Sequence, residues 1–533
     1  MKRSTHHLLA AILAGLFGLF LTYGSLTSSD FPRGLYGPPN STHWDDFEQL
    51  NPNRVWNYNW SGNGNLASYL SYVYDHGCQA VLRLHGSEYN DSTFWMEYYS
   101  CGQHHVYEAE LNYQTAHGML ENENQEGFYY FWHHDTSETG ERGEKDETQP
   151  EGGVSWKCLQ SGDNAGIMLH GPGETRCQYM YLKNEQTIWP ESVDSINFKA
   201  IIRVMADAAE LNASDTIFQF SIYLDPGSTT MTDDSLLAEA YYTKSTLGGI
   251  YYPDWVNFEL DYTLKETNYN ILYRVKWMDR CNFWVDYIKF MDMDRAYYLF
   301  YSEALQESVL AYAATQCGDL EAIYGDTLAG WKQSDEPIRS SFRAHGVVND
   351  WAPDHLQYPS LTPFALTNNM SRNPALFALF GKPPILDTDI YSFGGADSIG
   401  NQVELDTLAK RLERAYDACG DSIPLCFTGQ VHSWYKDGAW AVRDPMPPEI
   451  YAETYMALAH GAKGITFYKY TSNQPVGTSY GFGLVDTSYQ HPYGAPHFFG
   501  EKWDAVQLVF SQLDAIGGTL LELEREAAYY PER

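Results

Sequence analysis

Short apolar runs alternate with amphipathic stretches along most of this chain, and that alternation limits its fold more than any other feature. Runs of strand length fall at 34–37, 54–60, 79–85, 328–334, 360–366, 385–393, 424–431 and 464–470. Helix-like stretches lie at 66–76, 295–315, 338–350, 403–418, 449–460 and 502–516, with a short one around 374–379. Apolar residues recur in the longer stretches at helical spacing. Eight strands, each followed by a helix or helix-like stretch, predict an α/β chain folded as a (β/α)8 TIM barrel. The fifth strand is the least regular, because Pro363 interrupts it.

The alternation stops after His85 and resumes near residue 295. The interval opens on turn-rich aromatic sequence and a polar, acidic tract at 121–151. Alternating runs follow at 196–205, 216–224, 256–262, 269–277 and 282–290, with turns and no helices between them. Strands spaced in this way predict an antiparallel β-sandwich of jelly-roll type. The expected domains are a leader at 1–29, a barrel at 30–87 and 294–533, and an inserted sandwich at 88–293. An insert after the third barrel strand is expected to overhang the mouth, because loops that follow barrel strands build the active site.

The 533 residues carry a formal net charge of −35 and show no concentrated basic patch, which argues against a nucleic-acid partner. The chain holds 42 Tyr and 15 Trp, and such flat rings suit stacking on sugars. Lys2 and Arg3 precede an apolar stretch at 8–23 and then small polar residues, the pattern of a secretory signal. The protein is therefore expected to be secreted or periplasmic, and to meet a membrane only if that segment stays uncleaved. Eight cysteines in an exported chain permit disulfides, with Cys419–Cys426 and Cys158–Cys177 as the local pairs. No cysteine pair has zinc-site spacing, and no P-loop or Gly-x-Gly-x-x-Gly follows a strand. No metal and no nucleotide or other cofactor is therefore expected.

The fourth run reads Leu-Ala-Gly-Trp-Lys-Gln-Ser-Asp-Glu-Pro over 328–337 and ends in two adjacent carboxylates. Glycoside hydrolysis needs a protonated carboxyl for the leaving oxygen and a second carboxylate for the developing oxocarbenium ion. Asp335 beside Glu336 would raise one carboxyl pKa, which favours Glu336 as the proton donor. Helix-dipole complementarity at an Asp-Glu-Pro start accounts for the same residues without chemistry. The sixth run contains Asp387, Asp389 and Tyr391, which share one face by strand periodicity. Either Asp is a candidate nucleophile, or a base for water, although both could instead cap the following loop. Arg83, His85, Gln430 and His432 are candidate hydroxyl partners, and Trp331, Trp434, Tyr468 and Tyr470 candidate platforms. Asp335 is a further candidate binding residue. His432 has no Gly-x-Ser-x-Gly elbow to serve, so a hydrolase triad is disfavoured.

A fourth strand ending in carboxylate-Glu-Pro, together with stretches 443–449 and 457–465, resembles the large retaining clan of (β/α)8 glycoside hydrolases. The resemblance covers the chain outside 88–293 and implies that Glu336 is the general acid/base. Asp335 stands where the clan has Asn, which puts that residue's bond to a sugar hydroxyl in question. The clan's nucleophile Glu belongs on strand seven, but this strand reads Phe-Thr-Gly-Gln-Val-His-Ser-Trp over 427–434. In the insert, 107–110 and 282–288 resemble the first and last strands of carbohydrate-binding jelly rolls. Alternation there places Phe283, Val285 and Tyr287 on the buried face, and Trp284 and Asp286 on the other. The resemblance implies a glycosidase acting on a polysaccharide or oligosaccharide. A glycan-binding protein on a degenerate barrel and a surface interaction protein are the alternatives. A carboxyl separation of about 5–5.5 Å would mean retention and roughly 6.5–9.5 Å inversion.

Overall fold

The computed structural model describes residues 31–39, 42–57, 66–83, 104–108, 143–146, 155–158, 167–170, 175–176, 196–225, 236–264, 270–278, 280–293, 300, 302–332, 342–355, 360–365, 374–394, 402–420, 422–436, 439–472, 480–495 and 497–525. The chain divides into two compact units. One comprises Met1–Ser100, Glu307–Ile338 and His345–Arg533; the other comprises Cys101–Gln306 with Arg339–Ala344.

In the first unit eight strands pair in parallel: Arg33–Tyr36, Arg54–Asn57, Gln79–Arg83, Leu328–Lys332, Ser360–Ala365, Leu386–Asp389, Leu425–Gln430 and Gly464–Tyr468. Each pairs with the next, and the eighth returns to the first through Arg33↔Ile465, Gly34↔Thr466 and Leu35↔Phe467. They are the first to eighth ring strands below. Pro363 lies inside the fifth and faces Asp387 of the sixth; pairing with the fourth involves only Ser360 and Leu361. A proline fits there because the ladder on that side has already ended.

Helices separate the strands for reasons visible in sequence. In Gln402–Cys419, buried Leu408, Leu412, Ala415 and Cys419 form one stripe at helical spacing. Each buried leucine contributes about 1.5–3 kcal/mol. Gly420 then takes φ +55°, the left-handed residue that ends such a helix. The last helix, Phe499–Glu522, packs so close that a Cβ on Gly517 would stand 2.2 Å from the Cβ of Phe31. Between the fifth and sixth strands the described residues form short helical turns, Pro374–Leu376 and Phe377–Gly381. Asn349 of helix Phe342–His355 donates to the carbonyl of Gly381 at 2.6 Å. A small antiparallel sheet of Ser433–Lys436, Ala439–Val442 and Tyr480–Phe482 follows the seventh and eighth strands, and the periodicity did not signal it.

Among the described residues of the second unit every strand pair is antiparallel. One sheet orders Leu236–Thr243, Thr216–Asp225, Asn270–Trp277 and Ile167–His170, with Thr175–Arg176 also against Asn270–Trp277. The other orders Val256–Leu264, Ile196–Ala206, Phe283–Asp292, Ser155–Cys158 and Gly143–Asp146, with His104–Glu108 also against Phe283–Asp292. Residues of both sheets, including Phe218, Phe220, Val275, Trp277, Phe283 and Val285, share one buried core. Leu236–Thr243 is a strand the sequence reading did not include. Tyr287 also departs from expectation. The pairing register shifts between Val285 and Tyr287, so the core-facing set passes from Phe283 and Val285 to Ile288 and Phe290. One extra residue turns Tyr287 to the face where Ile201 and Met291 lie.

Cys419 and Cys426 are both free thiols, which corrects the expected bridge. Cys426 lies across from Gly464, whose missing side chain leaves room for its sulfur, and Cys419 closes the stripe of its helix. Cys158 ends a described strand, while Cys177 and residues 1–30 lie outside the described residues. Among the described residues no helix is long and apolar enough to cross a membrane.

Candidate functional site

Tyr36, Trp56 and Val81 form a buried cluster joined by Ala329, Ile385 and Tyr468. These residues belong to or adjoin the first, second, third, fourth, sixth and eighth strands, and side chains from so many strands meet only inside the ring. With Ile385 pointing inward, alternation turns Asp387, Asp389 and Tyr391 to the same interior face. Asp387 is 1% exposed and Asp389 6% exposed. Thr428 of the seventh strand donates its hydroxyl to Asp387 Oδ1 at 3.0 Å. That bond fixes one carboxylate oxygen across the strand pair.

Beyond the carboxylates the strand ends carry rings. Tyr391, His432 and Tyr468 meet mutually, with centroid separations of 4.6, 4.8 and 5.7 Å. Tyr468 also meets Tyr36 at 5.6 Å, and Tyr36 stacks on Trp56 at 5.1 Å. The carbonyl of Tyr468 accepts the Nδ1–H of His432 at 2.8 Å and the backbone N–H of Val431 at 3.0 Å. Burial pulls the pKa of His432 down to about 3. The ring is therefore neutral at physiological pH, with Nε2 as an acceptor. A neutral imidazole held edge-on between two tyrosines suits a hydroxyl donor better than it suits proton relay.

The loops that follow the strands are held by buried polar groups. Gln430 accepts the N–H of Phe393 at 2.9 Å and donates to the carbonyls of Arg443 at 2.8 Å and His432 at 3.2 Å. Its amide ties two loops together, which gives it a positioning role in place of the expected hydroxyl contact. Arg443 clasps Glu449 through two bonds of 2.8 and 2.7 Å and reaches Glu404 at 3.0 Å. Asp444 pairs with Lys502 at 2.8 Å and with His497 at 3.1 Å. Lys502 is completely buried, and its ammonium also donates to the carbonyls of Val431 at 3.1 Å and Gly483 at 2.9 Å.

Glu453, on helix Pro447–Ala459, stands behind the seventh strand and accepts the N–H of Gln430 at 2.9 Å. A Cβ on Gly429 would lie 2.7 Å from that carboxyl oxygen, so only glycine admits it. Burial pushes the Glu453 pKa well above the carboxylate range, which favours the protonated form.

Trp331 is fully buried and donates its indole N–H to Glu321 at 2.7 Å. A register shift between Leu328 and Gly330 precedes it, and it is a core residue where a stacking platform was expected. Tyr470 is likewise buried, against Phe47 and Trp503. Trp434, on Ser433–Lys436, is 44% exposed. Arg83 ends the third strand, but its side chain, like Asp335, Glu336 and His85, lies outside the described residues.

Sequence reasoning passed over Lys469, the residue directly after the eighth strand. It is 6% exposed, and its ammonium lies 5.7 Å from the centroid of the Tyr468 ring. Among the described residues one His/Asp/Glu group brings ligand atoms together: Asp45, Glu48 and His76, all within 4.8 Å of one another. Glu48 and His76 already pair there at 3.1 Å, and both carboxylates are exposed.

No protein-family model matches the chain, and no curated protein matches it in sequence. Among solved structures it is similar to a β-galactosidase from Bacillus circulans sp. alkalophilus, at 12% identity over 40% of each chain with a TM-score of 0.31. It is also similar to a Clostridium thermocellum xylanase comprising a carbohydrate-binding and a catalytic module, complexed with xylohexaose. That likeness has 8% identity, covers 70% of this chain and 94% of the other, and has a TM-score of 0.25. A third likeness is to a carbohydrate-binding module of a marine laminarinase from Zobellia galactanivorans, at 15% identity. It covers 28% of this chain and 89% of that module, with a TM-score of 0.17. TM-scores this low leave the reading of the site to its own side chains.

Proposed function

We propose that this protein is an exported glycoside hydrolase of (β/α)8 type that cleaves a polysaccharide or oligosaccharide with two carboxyl groups. One observation carries the reading. Asp387 and Asp389 are buried on the inward face of a ring strand, beside the Tyr391, His432 and Tyr468 rings at the ends of three neighbouring strands. Buried carboxylates beside aromatic faces suit a pyranose, whose C–H faces stack on rings while its hydroxyls and anomeric carbon meet acceptors. In this reading Glu336 protonates the leaving oxygen. Asp389 or Asp387 attacks the anomeric carbon or activates water, His432 accepts a hydroxyl, and no cofactor takes part.

A non-catalytic glycan-binding protein is the second reading, favoured by the seventh strand. Leu425–Gln430 carries no carboxylate, and its last side chain is committed to backbone groups. A glycan panel screened for both binding and cleavage separates the two, using wild type, Glu336→Gln and Asp389→Asn. The hydrolase reading expects Glu336→Gln to abolish turnover and spare binding, and Asp389→Asn to do the same where Asp389 is the second carboxylate. Binding without turnover in the wild type would favour the lectin-like alternative, and no binding at all would refute both.

A further inference from the structure

We propose that Lys469 reads a negative substituent, a uronate carboxylate or a sulfate ester, on the sugar that occupies this mouth; the proposal rests on the glycan reading above. Two buried lysines of the same unit make the contrast. Lys502 has a carboxylate and two carbonyls for its three donors. Lys469 is also more than nine-tenths buried, yet among the described residues its ammonium meets no carboxylate and no carbonyl, only the face of Tyr468. A lysine enclosed to this degree has no counter-charge beside its ammonium among the described residues, and a bound anion would supply one.

The position argues for a ligand on a sugar. The ring beneath the ammonium is the same Tyr468 that meets His432 and Tyr391. A pyranose stacked at these rings would hold an equatorial substituent within reach of a cation over one of them. Burial pulls the Lys469 pKa down to about 8, so the amine is mostly protonated at neutral pH and lacks only a counter-charge. A chain with net charge −35 repels anions at long range, so an acidic sugar needs such a local cation to be held.

The test measures calorimetric binding of three oligosaccharides of equal length, neutral, uronate-bearing and sulfated, to the full chain. Wild type is compared with Lys469→Met and Lys469→Gln, each checked for folding by near-ultraviolet circular dichroism. The wild type should prefer one anionic ligand over the neutral one by tenfold or more. Either substitution should weaken that ligand roughly 10- to 100-fold and shift the neutral one less than about threefold. The arm that responds distinguishes carboxylate from sulfate. If neither variant folds, the wild-type preference and its collapse at high salt decide. Equal wild-type binding of neutral and anionic ligands, or an unchanged ratio in the variants, overturns the role of Lys469 and leaves the glycan reading standing. If no ligand of any class binds the wild type, both fall together.

Discussion

Replacing Lys502 with methionine asks whether the loops after the seventh and eighth strands are held by one buried charge. The side chain is fully buried and supplies three bonds, to Asp444, Val431 and Gly483. Methionine fills much the same volume, so the loss is electrostatic and leaves Asp444 with the His497 imidazole at 3.1 Å. Breaking a buried pair from one side costs about 3–5 kcal/mol, and the surviving imidazole places this case near the lower end. About 3 kcal/mol corresponds to roughly 150-fold faster amide exchange if the opening is local. Hydrogen exchange read by mass spectrometry on peptides covering 425–431 and 480–485 would report it without requiring two-state unfolding of a two-unit chain. Adding Asp444→Asn should recover part of the loss, because no bare carboxylate then remains. A change below about threefold in those peptides would refute the clamp.

Glu453→Gln should be neutral or stabilising above pH 5. The folded pKa lies above the unfolded value, so the wild-type acid contributes most at low pH. That contribution is lost as pH rises through the window between the two values, with a slope of up to about 1.4 kcal/mol per pH unit. Chemical denaturation at several pH values should show the variant's advantage growing with pH; a pH-independent difference would count against a neutral Glu453. His432 behaves with the opposite sign. Its folded pKa of about 3 lies below the unfolded value near 6.5, so its contribution is present above pH 6.5 and is lost on acidification towards pH 3. Its imidazole resonances should not titrate between pH 5 and 8, and a midpoint near 6 would contradict the burial. Trp331→Phe should cost about 1–3 kcal/mol by leaving Glu321 without its indole donor, with glycan binding unchanged. Trp434→Ala should do the reverse, and thermal melts paired with glycan titrations of both variants would detect a swap of roles.

The sequence was most legible where periodicity and burial agree. The stripe of Leu408, Leu412, Ala415 and Cys419 announces its helix, and Asp387, Asp389 and Tyr391 share a face because strand alternation is unbroken there. Where one residue is added to a strand, the same rule fails. Tyr287 and Trp331 both follow register shifts and point away from where a pattern of period two would aim them. Polar partners separated widely in the chain left no local signature. Gln430 looked like a free amide because Phe393 and Arg443 are distant in sequence, and Lys469 was overlooked because isolation of a charge appears only in three dimensions. The cysteines misled for a related reason: closeness in sequence suggested a bridge between Cys419 and Cys426, whereas one closes a helix stripe and the other fills the space left by Gly464.

The second unit has a property that follows from one strand pair. His104 and Met291 face each other in register, although nearly the whole unit lies between them in the chain. Directly opposed residues on antiparallel neighbours have Cα atoms about 5 Å apart. The polypeptide therefore arrives and departs side by side, like the two ends of a handle. Ends held this close are what lets a length of chain sit within a host loop with little distortion at the join.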